Sequence, residues 1–273
     1  MSKIITADQT ELYVKDWGTG QPVILIHGWP LSSDSWDDQA MALAPAGYRA
    51  IAYDRRGFGR STQPWSGYDY DTLADDLAAV INQTGAKDPL IVGFSMGGGE
   101  VARYLSRHNG KSVAKAVLVS ASLPFRLKTS DNLLGAEQAA FDKTAQAIND
   151  DRPKFLAGFF EKFFGVTAES QSVSPQLLEW TRSVSMQASL KATLDCAKSF
   201  TTTDFRGELA TIKVPTLIVH GTDDKIVPID ASSRLTAKGI AQSTWLEYEG
   251  APHGLFATHK ERLTTDLLDF LKR

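Results

Sequence analysis

Five short runs of valine, isoleucine and leucine punctuate the chain: PVILIH (Pro22 to His27), RAIAYD (Arg49 to Asp54), PLIVGF (Pro89 to Phe94), AKAVLVS (Ala114 to Ser120) and PTLIVH (Pro215 to His220). They are apolar at successive rather than alternate positions, which describes strands covered on both faces. Helical patterns separate them. In YDYDTLADDLAAVINQTG, Leu73, Leu77, Val80 and Ile81 share one face, with Asp71 read as the N-cap and Gly85 as the stop. The closing KERLTTDLLDFLKR repeats the pattern with Leu263, Leu267 and Phe270. Alternating units of this kind predict an α/β fold with an open, mostly parallel sheet and helices on both faces. ELYVKDW (Glu11 to Trp17) alternates and is expected as an antiparallel edge strand, and STWLEYE (Ser243 to Glu249) as the last strand.

The rhythm breaks between Pro124 and Val214, where no clear strand is seen and several short, aromatic-rich helices are expected. The chain therefore divides into a core of residues 1–123 and 214–273 and a helical cap insertion of residues 124–213. The 29 basic and 32 acidic side chains are mixed along the sequence, so neither nucleic acid nor an anionic membrane surface is an expected partner. No apolar run is long enough to span a bilayer, and MSKIITADQTELYV carries none of secretory type. The lone Cys196 reads as a small buried hydrophobe and suits a reducing, cytoplasmic setting.

In open α/β sheets ligands bind at the carboxyl ends of the strands. Those ends carry His27-Gly28-Trp29-Pro30, Asp54-Arg55-Arg56, Ser95, Ser120, Asp223-Asp224 and His253. Gly93-Phe94-Ser95-Met96-Gly97 is a G-x-S-x-G at a strand-to-helix join, the setting of a nucleophile elbow. The run Gly97-Gly98-Gly99 also invites reading as a phosphate cradle. That alternative lacks the lysine and hydroxyl of a Walker loop, and Glu100 at the helix start repels phosphate. A serine nucleophile needs a base and an orienting carboxylate. Of five histidines, only His253 falls in a loop after the final strand; the acid is Asp223 or Asp224 of HGTDDKIVP. The backbone N–H groups of Met96, after the serine, and Trp29, after the first buried strand, are the expected oxyanion donors. The arginines of YDRRGFGRS read as structural ion-pair partners, and Phe159, Phe163 and Phe200 as pocket wall.

Together HGWP, DRRGFGRS, GFSMGGGEVARY, ASLKATLDCAKSFTTTDFR, VHGTDDKIVP and GAPHG resemble the cofactor-free haloperoxidases, or perhydrolases, and their arylesterase relatives, over almost the whole chain. The resemblance implies an α/β-hydrolase fold with an eight-stranded sheet and a helical cap, no cofactor and no metal. It selects Asp224 and assigns Ser95, Asp224 and His253 as the triad, with oxyanion donors at Trp29 and Met96. Side chains implied to line the pocket are Phe125, Phe159, Phe163, Phe200, Ile226 and Val227. Pro30, after the tryptophan, is associated in that family with hydrogen peroxide as acyl acceptor. The implied activity is hydrolysis of small carboxylic (aryl) esters through an acyl-enzyme, with perhydrolysis. A γ-lactamase or lactonase using the same triad is an alternative, and a non-catalytic small-molecule receptor is a rival from another class. Assembly into a homo-oligomer, a trimer or hexamer, is also implied.

Overall fold

The computed structural model of the protein describes residues 3–110 and 112–273. Eight strands form one sheet: β1 (Lys3–Ile5), β2 (Glu11–Trp17), β3 (Gln21–Ile26), β4 (Tyr48–Tyr53), β5 (Leu90–Phe94), β6 (Lys115–Val119), β7 (Thr216–Gly221) and β8 (Ser243–Tyr248). Their spatial order is β1-β2-β4-β3-β5-β6-β7-β8, parallel from β4 to β8 and antiparallel at β1 and β2. The expected edge strand β2 is therefore internal. Its backbone pairs with β1 on one side and β4 on the other, and β1 takes the edge.

The continuous apolar runs work because alternate residues of each strand feed opposite faces. Ile24, Ile26, Ile51, Ile91, Leu118 and Ile218 belong to the core that packs under α2 (Tyr70–Gln83) and α3 (Met96–Arg107). Val23, Leu25, Val92, Val117 and Val219 belong to the other, under α1 (Asp37–Leu43) and α10 (Lys260–Lys272). In α2 the N-cap is Asp69 rather than Asp71. The Asp69 carboxylate accepts the Thr72 N–H at 3.0 Å, while Asp71, within the first turn, pairs with Arg103 of α3.

Between β6 and β7 lie α4 (Gln138–Phe164), α5 (Pro175–Met186), α6 (Leu190–Thr202) and α7 (Arg206–Leu209). The first is two helical segments joined across a kink. Asp151 leaves helical geometry at φ −158°, Pro153 follows, and the Asp151 carboxylate accepts the Lys154 N–H at 3.0 Å to restart the helix. The short α8 (Ser233–Gly239) and α9 (Leu255–Thr258) complete the order. From β3 the chain steps to β4 on one side and then returns to β5 on the other, so the loops after β3 and β5 face each other across a topological switch point. Among the described residues, no helix is long and apolar enough to cross a membrane.

Candidate active site

Strand β5 ends at Phe94 and α3 begins at Met96, leaving Ser95 alone at the corner with φ 53° and ψ −114°. A β-carbon-bearing residue holds such angles only when its surroundings fix it. Here the Ser95 N–H donates to the Val119 carbonyl at 2.9 Å, and its own carbonyl accepts from Gly98 and Ser122, each at 3.0 Å. The glycines of the motif are steric necessities. A Cβ on Gly93 would stand 2.4 Å from the Gly97 carbonyl oxygen, and one on Gly97 would stand 2.7 Å from that of Ile26. The next two let neighbours close in: a Cβ on Gly98 would meet the Ala121 methyl at 2.5 Å, and one on Gly99 the Tyr70 ring at 2.5 Å.

Ser95 Oγ lies 2.9 Å from His253 Nε2, and His253 Nδ1 lies 2.6 Å from Asp224 Oδ2. A carboxylate only accepts, so Nδ1 carries the proton and Nε2 is left to accept from the serine. The other carboxylate oxygen, Oδ1, takes the backbone N–H groups of Ile226 at 2.9 Å and Val227 at 2.7 Å. His220, at the end of β7, completes the set. Its Nε2 is 3.0 Å from Asp224 Oδ2 and 2.9 Å from the Val227 carbonyl, two acceptors, so Nε2 donates and Nδ1 accepts from Ser233 at 2.6 Å. Burial works to raise the Asp224 pKa, but the two imidazoles outweigh it and hold the carboxyl well below the usual carboxylate range. Burial likewise pushes the His253 imidazole down, against the pull of Asp224. The pair at neutral pH is thus a carboxylate and a neutral imidazole, the base form.

Next to Ser95 are two N–H groups, Trp29 and Met96, for which the described residues supply no acceptor. The loop bearing the first and the helix bearing the second are tied by one buried cluster. Arg55 Nε donates to Glu100 Oε1 at 2.6 Å, its Nη2 to the His27 carbonyl at 2.6 Å, and Tyr53 OH to Glu100 Oε2 at 2.9 Å. Asp54 and Arg60, and Asp76 and Arg56, form further pairs behind the same loops. All three arginines of the motif are thus taken by carboxylates, in keeping with the structural reading.

Ser95 and His253 open onto a cavity of about 1100 Å³ between the strand ends and α4 and α6. Trp29, Phe159, Phe200 and Ile226 line it, and Phe155 and Ser122 join them. The Trp29 indole is edge-on to Phe159 and Phe200, at 5.4 and 5.7 Å, and donates to the Thr193 carbonyl of α6 at 2.9 Å. Four expected wall residues lie elsewhere. Phe163 is fully buried behind His253, edge-on to its ring at 5.0 Å, because the face of α4 that carries it turns to the core. Phe125 packs under the Arg206 guanidinium at 5.2 Å. Val227 is buried, and its backbone serves Asp224 and His220. Pro30 sits in a turn closed by the Leu31 N–H on the Gly28 carbonyl, with a cis Trp29–Pro30 peptide, and its ring is off the cavity. Sequence reasoning passed over His220, Ser122 and Arg126. The spacing of His220 and Asp224, four apart across a strand end, was the available signal for the first.

A family model described as alpha/beta hydrolase fold matches residues 21–260. The chain is 45% identical over 263 residues to a putative non-heme chloroperoxidase of Synechocystis, covering 96% of this chain and 95% of that protein. It is 41% identical to a bifunctional esterase/perhydrolase of Acinetobacter calcoaceticus, with both chains fully covered. Among solved structures, a bromoperoxidase from Bacillus anthracis superposes with a TM-score of 0.96 at 43% identity, again over the full length of both.

Proposed function

We propose that this chain, which belongs to the α/β-hydrolase family and within it to the non-heme haloperoxidases and their esterase relatives, hydrolyses small carboxylic esters through an acyl-enzyme and also passes the acyl group to hydrogen peroxide. The observation that carries the reading is the unbroken hydrogen-bond chain from Ser95 through His253 to Asp224, opening on an aromatic cavity.

Ser95 Oγ attacks the ester carbonyl carbon as His253 Nε2 takes its proton. The carbonyl oxygen becomes an oxyanion and receives the Trp29 and Met96 N–H groups. Asp224, fixed by four N–H donors, holds the imidazole in the Nδ1–H tautomer and faces the positive charge that develops on it. Collapse breaks the ester C–O bond, and the departing alkoxide or phenoxide takes the proton from Nε2. Water or hydrogen peroxide then yields a proton to Nε2 and attacks the acyl carbon, releasing acid or peracid and restoring the Ser95 hydroxyl. Released peracid oxidises halide outside the cavity and is itself reduced to the carboxylic acid.

Residues 124–213 act in this reading as the cap that roofs the site. A trimeric or hexameric assembly and cytoplasmic residence belong to it too, and are tested by light scattering and cell fractionation. The central test is Ser95→Ala assayed with p-nitrophenyl acetate, with and without hydrogen peroxide. Both activities are expected to vanish, and hydrolysis at the wild-type rate would refute the proposal.

A further inference from the structure

The arginines of this protein that are buried in the sheet have carboxylates to meet them: Arg55 has Glu100, Arg56 has Asp76, and half-buried Arg60 and Arg103 have Asp54 and Glu208. Arg126 differs from these. It lines the same cavity as Ser95 and His253, and no carboxylate among the described residues reaches ion-pair distance of it. Its guanidinium lies between the rings of Phe141 and Phe200, at 5.9 and 5.8 Å, which orient the cation without neutralising it. One N–H goes to the Ile226 carbonyl at 3.0 Å. A guanidinium carries five donors, so most of its hydrogen-bonding capacity is unspent.

Leaving a charge half-buried and unpaired costs stability, and burial indeed opposes the charged form of Arg126. The surrounding charges do not compensate. Lysines and aspartates around the cavity are equal in number and sit mostly at its exposed outer part, while Asp224 is already shared by His253 and His220. What remains is a rigid, forked cation held between two aromatic rings on the wall of the cavity, a shape complementary to a carboxylate.

We propose that Arg126 is a specificity-determining residue that binds a carboxylate carried by the ester substrate, so that the preferred substrates are half-esters or esters of carboxylated alcohols. The inference rests on the hydrolase reading of the cavity. The carboxylate belongs to either the acyl or the alcohol side, and two substrate pairs tell these apart. Monoethyl adipate against ethyl hexanoate tests the acyl side, followed by pH-stat. The second pair, 4-acetoxybenzoate against 4-acetoxybenzamide, tests the alcohol side.

In at least one pair wild-type kcat/KM is expected to favour the anionic member. Arg126→Met is expected to lower the ratio within that pair by about 30-fold, the scale of one charge-assisted bidentate contact, mainly through KM. Arg126→Lys should recover part of the ratio. If the ratio in both pairs moves by less than about threefold, or if both members of each pair fall together along with the melting temperature, Arg126 is a brace for the Ile226 turn and the proposal is overturned. Calorimetric titration of Ser95→Ala with monoethyl adipate and 4-acetoxybenzoate, alone and combined with Arg126→Met, reads binding without turnover. It judges Arg126 even if Ser95 proves not to be the nucleophile. Binding of neither ester, or binding unchanged by Arg126→Met, overturns the proposal.

Discussion

Replacing Glu100 with alanine should weaken the fold and the oxyanion site together. Glu100 and Arg55 are 0% and 1% exposed, and the carboxylate is the only one that meets the Arg55 guanidinium among the described residues. Removing it leaves a buried cation with the His27 carbonyl and ring and the Phe58 ring for company. Breaking a pair of this kind costs about 3–5 kcal/mol, against a total of roughly 5–15 kcal/mol for a folded chain. At about 2–4 °C per kcal/mol, the scale for chains of about 150–250 residues, the melting temperature of this 273-residue chain should drop by at most roughly 6–20 °C. The same cluster joins the loop of Trp29 to α3 one turn beyond Met96, so kcat should fall further than KM changes, within the roughly 10²–10³ attributable to one oxyanion donor. Calorimetry and p-nitrophenyl acetate turnover read the two effects. Arg55→Met combined with Glu100→Leu removes both charges, and should regain most of the stability while kcat stays low. The reasoning fails if Glu100→Ala alone costs less than about 1 kcal/mol, or if the double variant is less stable than the single one.

Because burial lowers the His253 pKa, the acid limb of kcat/KM should be centred below the ordinary imidazole value of 6.5, and a limb above it would contradict the base role. His27 is fully buried, and that burial, with Arg55 adding to it, brings its pKa down to about 3; the unfolded chain therefore takes up a proton that the fold refuses. Stability present above pH 6.5 should then fall by about 2 kcal/mol between pH 7 and pH 5 from this group alone, and urea denaturation of a His27→Gln variant should show a flatter profile. Gly98→Ala presses a methyl onto Ala121 and should cost about 1–3 kcal/mol, with Ala121→Gly restoring much of it; no recovery would mean that the helix, not the contact, suffers.

The parallel sheet and the elbow were legible because both are written in local pattern. Successive apolar residues mark a doubly covered strand, and the glycines flanking Ser95 mark where backbone meets backbone. The edge of the sheet was not legible: Lys3–Ile5 is three residues long and is recruited by pairing with β2 rather than by any periodicity of its own. The cap was harder for a related reason. Aromatic residues four apart predict one helical face, but not whether that face looks into a cavity or into the core. Phe155 and Phe159 look inward to the site, whereas Phe163, one turn on, is sealed behind His253. The partner of Arg55 was hidden for the opposite reason, since Glu100 falls in a helix start that sequence logic treats as exposed. Arg126 matters through neighbours brought in by the fold, which no spacing along the chain records.

Trp29 shows where binding and chemistry meet. Its ring belongs to the cavity wall, edge-on to Phe159 and Phe200, and its Nε1–H is fastened to the Thr193 carbonyl of α6. Its backbone N–H has no acceptor among the described residues and is, in the proposed mechanism, one of the two oxyanion donors. A substrate that shifts the helices above the site therefore shifts an oxyanion donor through a single rigid side chain. Trp29→Phe keeps an aromatic wall but deletes the fastening, at a stability cost of about 1 kcal/mol for one hydrogen bond. If the indole serves only as wall, the variant changes KM and leaves kcat within about twofold. The coupling argued here requires instead that kcat fall by about tenfold, with the loss appearing equally in kcat/KM, because the displaced N–H acts in the transition state and not on the bound ester. Steady-state kinetics on a neutral aryl acetate decides between them, and a change confined to KM would detach the cap from the chemistry.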